Sequence, residues 1–184
     1  MKIDDFLILD KNNKVRYQQQ NIKNTFHQQG EEYILNALFK GSENLVVNGY
    51  WIGLDTRQTI NRTDTLASVI GEPVIQGNNY FRQNIPFVNW RIIDPNDPNA
   101  SATTTPPIGT LTPYYAKSGP IIFSALNSGW NSVSNIFLAT TNETNCSSAS
   151  CIGKLISTAA LGTTVSVAAG ESVVMEMSIS LYDY

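Results

Sequence analysis

Apolar and polar positions alternate most regularly near the end of the chain, where Val173, Met175, Met177, Ile179 and Leu181 are interleaved with Val174, Glu176, Ser178, Ser180 and Tyr182. A period of two puts the sets on opposite faces of a strand, one buried and one wetter. Ala168-Ala169-Gly170-Glu171 has turn composition, so Thr164-Val165-Ser166-Val167 before it is expected to form a hairpin with this last strand. Earlier aromatic or β-branched runs also predict strands: Trp51-Ile52-Gly53-Leu54, Tyr80 to Ile85, Val88 to Ile93, Pro120 to Phe123, Val133 to Thr140 and Lys154-Leu155-Ile156. Asp94 to Asn99, continuing to Thr105-Pro106-Pro107, predicts an exposed, mobile loop.

A helical period occurs once. Thr25-Phe26-His27-Gln28 has capping-box spacing, Tyr33, Ile34, Ala37 and Leu38 fall on one stripe, and Gly41 supplies a stop. Gly30 weakens the first turn by about 1 kcal/mol, so Glu31 is an alternative start. At the opening, Phe6-Leu7-Ile8-Leu9 reads as a strand, Asp10-Lys11-Asn12-Asn13 as a turn, and Val15 and Tyr17 as a return strand. This segment is either a hairpin on the domain or an arm whose Phe6, Leu7, Ile8 and Leu9 dock on a neighbour. The pattern as a whole predicts a mainly β fold: an antiparallel β-sandwich, jelly-roll or Ig-like, of about eight strands. Its expected parts are an N-terminal arm or hairpin over 1–24 and a sandwich domain with one early helix over 25–184.

The chain has 184 residues, which suits one domain with a two-layered core. Only 15% are charged, against about 25% in average soluble domains, so Asn, Ser, Thr and Gln must supply the polar surface. Residues 1–43 hold six of the twelve basic side chains, and residues 95–170 hold only Asp97, Lys117, Glu143 and Lys154 as charges. Such a weakly charged surface fits against neighbouring subunits because few ions need desolvation; a plain Ser/Thr surface is the other reading. A net charge of −3 without a basic cluster argues against nucleic acid. Met1-Lys2-Ile3-Asp4-Asp5 carries acids where a signal peptide needs bases, and no apolar run approaches a membrane span. Synthesis in a cytoplasm, with no membrane partner, is the expectation.

Candidate chemistry is sparse. His27 is the sole histidine, so any triad or His-based metal site must use it, and its place at a helix start suits a surface or capping residue better. Asp55, Asp64 and Glu72 are the only candidates for a glycosidase-like acid pair, although such residues are common at turns, Asp55 ends a predicted strand and Glu72 sits in a Gly-Glu-Pro turn. No catalytic, cofactor or metal site is expected. Cys146 and Cys151 lie in a Ser-rich loop, where a disulfide would close a six-residue ring, worth about 2 kcal/mol on the loop-entropy model; two free thiols are the alternative. Trp130, Tyr114 and Tyr115 neighbour Gly, Asn or Pro and are candidate glycan contacts. Asn-x-Ser/Thr matches at Asn61, Asn99, Asn142 and Asn145 follow from Asn and Thr richness.

One longer order of motifs carries a resemblance. Glu31-Glu32-Tyr33-Ile34-Leu35-Asn36-Ala37-Leu38-Phe39 is followed by Tyr50-Trp51-Ile52-Gly53-Leu54, Asp64-Thr65-Leu66-Ala67, Gly71-Glu72-Pro73 and Gly77-Asn78-Asn79-Tyr80-Phe81-Arg82-Gln83. Ile136-Phe137-Leu138-Ala139-Thr140 and the segment ending at Tyr184 come last. Over residues 28–184 this resembles the accessory, or minor, virion structural proteins of tailed bacteriophages. Residues 1–27 and the Cys146 to Cys151 loop depart from that pattern. The resemblance implies a non-enzymatic virion subunit, assembled in the host cytoplasm and docked in multiple copies as head decoration, neck or tail and baseplate accessory. Its partners would be other virion proteins and copies of itself, with no cofactor. A tail adsorption module binding host-surface glycans is the alternative.

Overall fold

A computed structural model describes residues 2–41, 49–69, 71–73, 80–93, 115–143 and 150–180. Ten strands occur among them: β1 (Lys2–Leu9), β2 (Val15–Phe26), β3 (Tyr50–Asp55), β4 (Gln83–Ile85), β5 (Trp90–Ile93), β6 (Tyr115–Ser118), β7 (Ile121–Ser124), β8 (Trp130–Ala139), β9 (Leu155–Val167) and β10 (Ser172–Ser180). The expected Asp94 to Pro107 loop lies outside the described residues.

The strands pair antiparallel along one path, β4-β3-β8-β9-β2-β1-β10-β6-β5, with β7 added on β10. The result is a mainly β fold whose sheet nearly closes into a barrel, with one α-helix. The ends of the path are consecutive in sequence, since β4 leads through Pro86 and a 3-10 turn, Phe87–Asn89, into β5. A main core fills the interior, with a smaller cluster of Leu66, Val69, Phe137, Ala139 and Leu155 apart from it. The fully buried side chains of the main core include Ile3, Phe6 and Ile8 of β1, Ile52 and Leu54 of β3, Ile136 and Leu138 of β8, and Val173 and Met177 of β10.

The N-terminal segment is part of this body. Asp10 turns the chain by accepting the Asn12 and Lys14 N–H groups at 2.8 and 2.9 Å, and β1 then pairs with β2 on one side and β10 on the other. Phe6, Leu7, Ile8 and Leu9 therefore do not form a docking arm. Alternation explains why: Phe6 and Ile8 point into the core, and an arm would leave both in water. At its far end β2 bends away, so that Asn24, Thr25 and Phe26 pair with β9.

Two further expectations change. β9 and β10 do not pair with each other; β9 pairs with β8 and β2, and β10 with β1, β6 and β7. The turn between them is held across the sheet instead, by Glu171, whose carboxylate accepts the Ala168 N–H at 2.7 Å and the Arg16 guanidinium at 2.6 and 2.7 Å. Thr25 lies in β2, so the helix α1 (Gln28–Leu35) is capped by His27 with no side-chain capping bond. Gly30 does more than weaken the helix, because a Cβ there would stand 2.5 Å from the Ile156 carbonyl oxygen. Only glycine lets α1 lie this close to β9. A π-helical turn, Asn36–Lys40, continues α1 to Gly41, whose left-handed φ of 60° ends it as the sequence suggested. The wider turn breaks the expected stripe: Tyr33 is buried, whereas Leu38 is exposed.

Candidate functional site

The polar residues of the molecule converge where β3 leaves the sheet. Asp55, the last residue of β3, is fully buried, and Arg57 returns to it with Nε donating to Oδ2 at 2.8 Å and its own N–H to Oδ1 at 3.1 Å. The Nη1 of the same guanidinium donates to Asp64 at 3.0 Å. One cation thus holds two carboxylates. The side chain of Asn135 on β8 donates to the Arg57 carbonyl, which fixes the loop on the sheet.

A second clasp follows Gly71, whose carbonyl accepts the Thr56 N–H at 2.8 Å. Arg82 donates to Glu72 through Nε at 2.9 Å and Nη2 at 2.7 Å, and its guanidinium carbon sits 4.9 Å from the Phe137 ring centre. The geometry is bidentate, with Arg82 buried and Glu72 largely so. Tyr80 completes the cluster: its hydroxyl donates to Glu72 at 3.0 Å and accepts the Leu54 N–H at 2.7 Å. Burial, with the Glu72 carboxylate adding to it, pushes the Tyr80 phenol well above its ordinary value, so it stays a neutral donor. This gives a physical reason for several of the residues that carried the resemblance. Tyr80 and Arg82 meet Glu72, and Gly53 leaves the space that the Phe137 ring and Tyr80 hydroxyl fill, since a Cβ would stand 2.2 Å from the first and 2.8 Å from the second.

Below Asp64 lies the first turn of α1. His27 is fully buried, with Nε2 2.7 Å from the Thr158 hydroxyl of β9 and Nδ1 without a hydrogen-bond partner among the described residues. Its N–H donates to the Ile156 carbonyl, and the Gln28 N–H to that of Arg62, each at 3.0 Å. The Gln29 side-chain oxygen accepts the Leu66 N–H at 3.1 Å and the Leu155 N–H at 2.7 Å. Glu31 pairs with Arg62 at 2.7 Å. Burial lowers the basicity of His27, and the Arg57 charge acts in the same direction; the Arg62 and Asn61 peptides and the Asp64 carboxylate oppose them. His27 caps a helix as the sequence suggested, but from the interior rather than the surface.

The outside is different in kind. At the seam between β4 and β5, Val88 is 87% and Ile92 72% exposed, with Phe87 beside them. Tyr50 braces this seam from beneath, its ring edge-on to Phe87 and Trp90 at 5.8 and 6.3 Å. The end of α1 and its π turn expose Leu35, Leu38 and Phe39.

The three candidate carboxylates are not a facing pair: Arg57 joins Asp55 to Asp64, and Arg82 takes Glu72. Trp130 is not available to a sugar. It is 1% exposed and packs edge-on against Tyr80 at 5.7 Å, because β8 turns it inward. Tyr115 is half-buried in β6 between β5 and β10, and Tyr114 lies outside the described residues. Cys151 is disulfide-bonded, while Cys146 lies outside the described residues. Among the described residues no three His, Cys, Asp or Glu side chains gather as metal ligands, and no helix is long and apolar enough to cross a membrane. Sequence reasoning missed the arginine partners and the exposed seam. Pro86, which cannot donate to a ladder, was the one signal that the run around Phe87 and Val88 is a sheet edge. Comparison of the chain with protein-family models, curated proteins and solved structures finds no match.

Proposed function

We propose that this protein is a non-enzymatic structural subunit of a tailed-phage particle, docked in multiple copies through apolar surface at the β4 to β5 seam. The exposed Phe87, Val88 and Ile92 carry the reading, since three large apolar side chains at an open sheet edge suit a surface covered by another subunit. The ionisable groups support it. Asp55, Asp64 and Glu72 are tied to arginines in clasps that hold loops on the sheet, which suits shape-keeping better than proton transfer. The finer fold belongs to the same proposal: the halves of the strand path, hinged at β2, act as the facing layers of a jelly-roll-like sandwich around the shared core.

The test uses particles assembled from the genome that encodes the chain. The wild-type protein should co-sediment with purified particles in fixed stoichiometry. A Val88→Asp/Ile92→Asp variant should keep the wild-type circular dichroism spectrum and remain at the top of the gradient. Absence of the wild-type chain from the particles, or full incorporation of the variant, would sink the proposal.

A further inference from the structure

The first turn of α1 is fastened to β9 and to the 61–66 segment by several bonds, and the one titratable group buried among them is His27. His27 lies between β2 and α1: its ring meets Thr158 of β9, its N–H donates to the Ile156 carbonyl and its carbonyl accepts the Glu31 N–H, while the next residue, Gln28, donates its N–H to the Arg62 carbonyl of the 61–64 loop. A neutral imidazole fits this place, because Nε2 lies within hydrogen-bond distance of a hydroxyl that can donate to it. A protonated ring could still donate to Thr158 and is favoured by the Arg62 and Asn61 peptides, but burial outweighs them. The charged ring would be a cation sealed from water, at the positive end of a helix dipole, near the Arg57 guanidinium.

We infer that His27 is an acid-sensitive latch: protonation of its ring releases the first turn of α1 from β9 and from the 61–64 loop while the strand body stays folded. The charged groups around it are few. Asp64 favours the charged ring, but its carboxylate is engaged by Arg57; Glu31 on the helix is paired with Arg62; and β9 carries no ionisable side chain from Leu155 to Val167. Besides His27, the helix is held by the Gln29 side chain on the Leu66 and Leu155 N–H groups, by the Glu31 pair with Arg62 and by Gly30 and Tyr33, its only buried residues among those described. The direction of the shift agrees. A ring whose basicity is lowered in the closed state and ordinary, near about 6.5, once opened makes closure fully stable above that pH and weaker as pH falls toward the closed-state value. The latch is independent of the proposed assembly.

The experiment is hydrogen exchange of the full chain at pH 7.5, 6.5, 5.8 and 5.0, above the range where ordinary carboxylates take up protons, corrected for intrinsic exchange. In wild type, protection of the amides from His27 to Glu31 should fall by up to about tenfold per pH unit below about 6.5. Amides of Phe6 and Met175, in the middle of the sheet, should hold their protection. In His27→Gln, which keeps a side chain able to bond Thr158, the pH dependence of the first-turn amides should vanish. Equal pH dependence in the two proteins, or flat protection in wild type, would overturn the latch. If the variant does not fold, the sole imidazole of the wild-type chain is read directly by NMR. Titration with an ordinary midpoint and no movement of the His27 to Glu31 amides would overturn it equally.

Discussion

At Glu72 and Arg82 a largely buried carboxylate meets a buried guanidinium, and among the described residues Tyr80 and the Thr141 carbonyl are their further polar partners. Each charge is tolerable only because the other is present. Arg82→Met should therefore cost about 3–5 kcal/mol, the usual penalty for leaving one buried ion unpaired. Arg82→Met/Glu72→Gln should recover most of it, because a neutral amide still accepts the Tyr80 hydroxyl. Guanidinium denaturation of both variants checks this; a single variant as stable as wild type would show that water already reaches the pair. Gly53 is the other sensitive residue. Gly53→Ala drives a methyl into the Phe137 ring and should cost about 1–3 kcal/mol, seen as a lower denaturation midpoint, with Gly53→Ala/Phe137→Leu partly restored.

For the strands, side-chain alternation decides how much was legible. Val173, Met175 and Met177 are buried as their period of two requires, and the β1 to β2 turn sits where Asp10 and Asn13 announce it. Partner choice was not legible. The turn at Ala168 to Glu171 looks like a hairpin turn locally, yet Arg16, 155 residues before Glu171, pulls it across the sheet. The carboxylates were visible as candidates, whereas Arg57 and Arg82 reach them through folded loops that no periodicity encodes. Because β1 and β2 lie inside the strand path, a chain lacking residues 1–26 should fail to fold, losing the burial of Ile3, Phe6, Ile8 and Ile22 as well as three ladders. A dispersed amide NMR spectrum from that truncation would contradict the topology. Gln29→Ala is a gentler test. It leaves the Leu66 and Leu155 N–H groups without their acceptor and should cost about 1–3 kcal/mol for each that stays dry, with exchange accelerated at those two amides.

Across the whole molecule, the clasp at Glu171 links parts of the sheet distant in sequence. Its carboxylate holds Arg16 of β2 and the Ala168 N–H, its backbone exchanges contacts with Ala125 and Ala168, and Arg16 also reaches the Ser166 carbonyl of β9. Burial alone would push the Glu171 carboxyl up, but the hydrogen bonds from Arg16 and Ala168 and the charge of Arg16 together hold it below the ordinary 4.5. The folded state thus binds this proton less readily than the unfolded chain. Its contribution to stability is complete above about pH 4.5 and is lost as pH falls through the depressed folded value. Acid unfolding followed by the fluorescence of the three tryptophans should therefore steepen below about 4.5, separately from any opening at His27, which begins nearer neutrality. In Glu171→Gln the steep part should flatten, with lower stability at pH 7 because the charged partner of Arg16 is gone. Arg16→Met should weaken the same acid dependence, since it removes the bonds and charge that depress the carboxyl. Superimposable acid curves for wild type and Glu171→Gln would mean that other carboxylates set the acid limit and that the clasp fixes chain direction without governing stability.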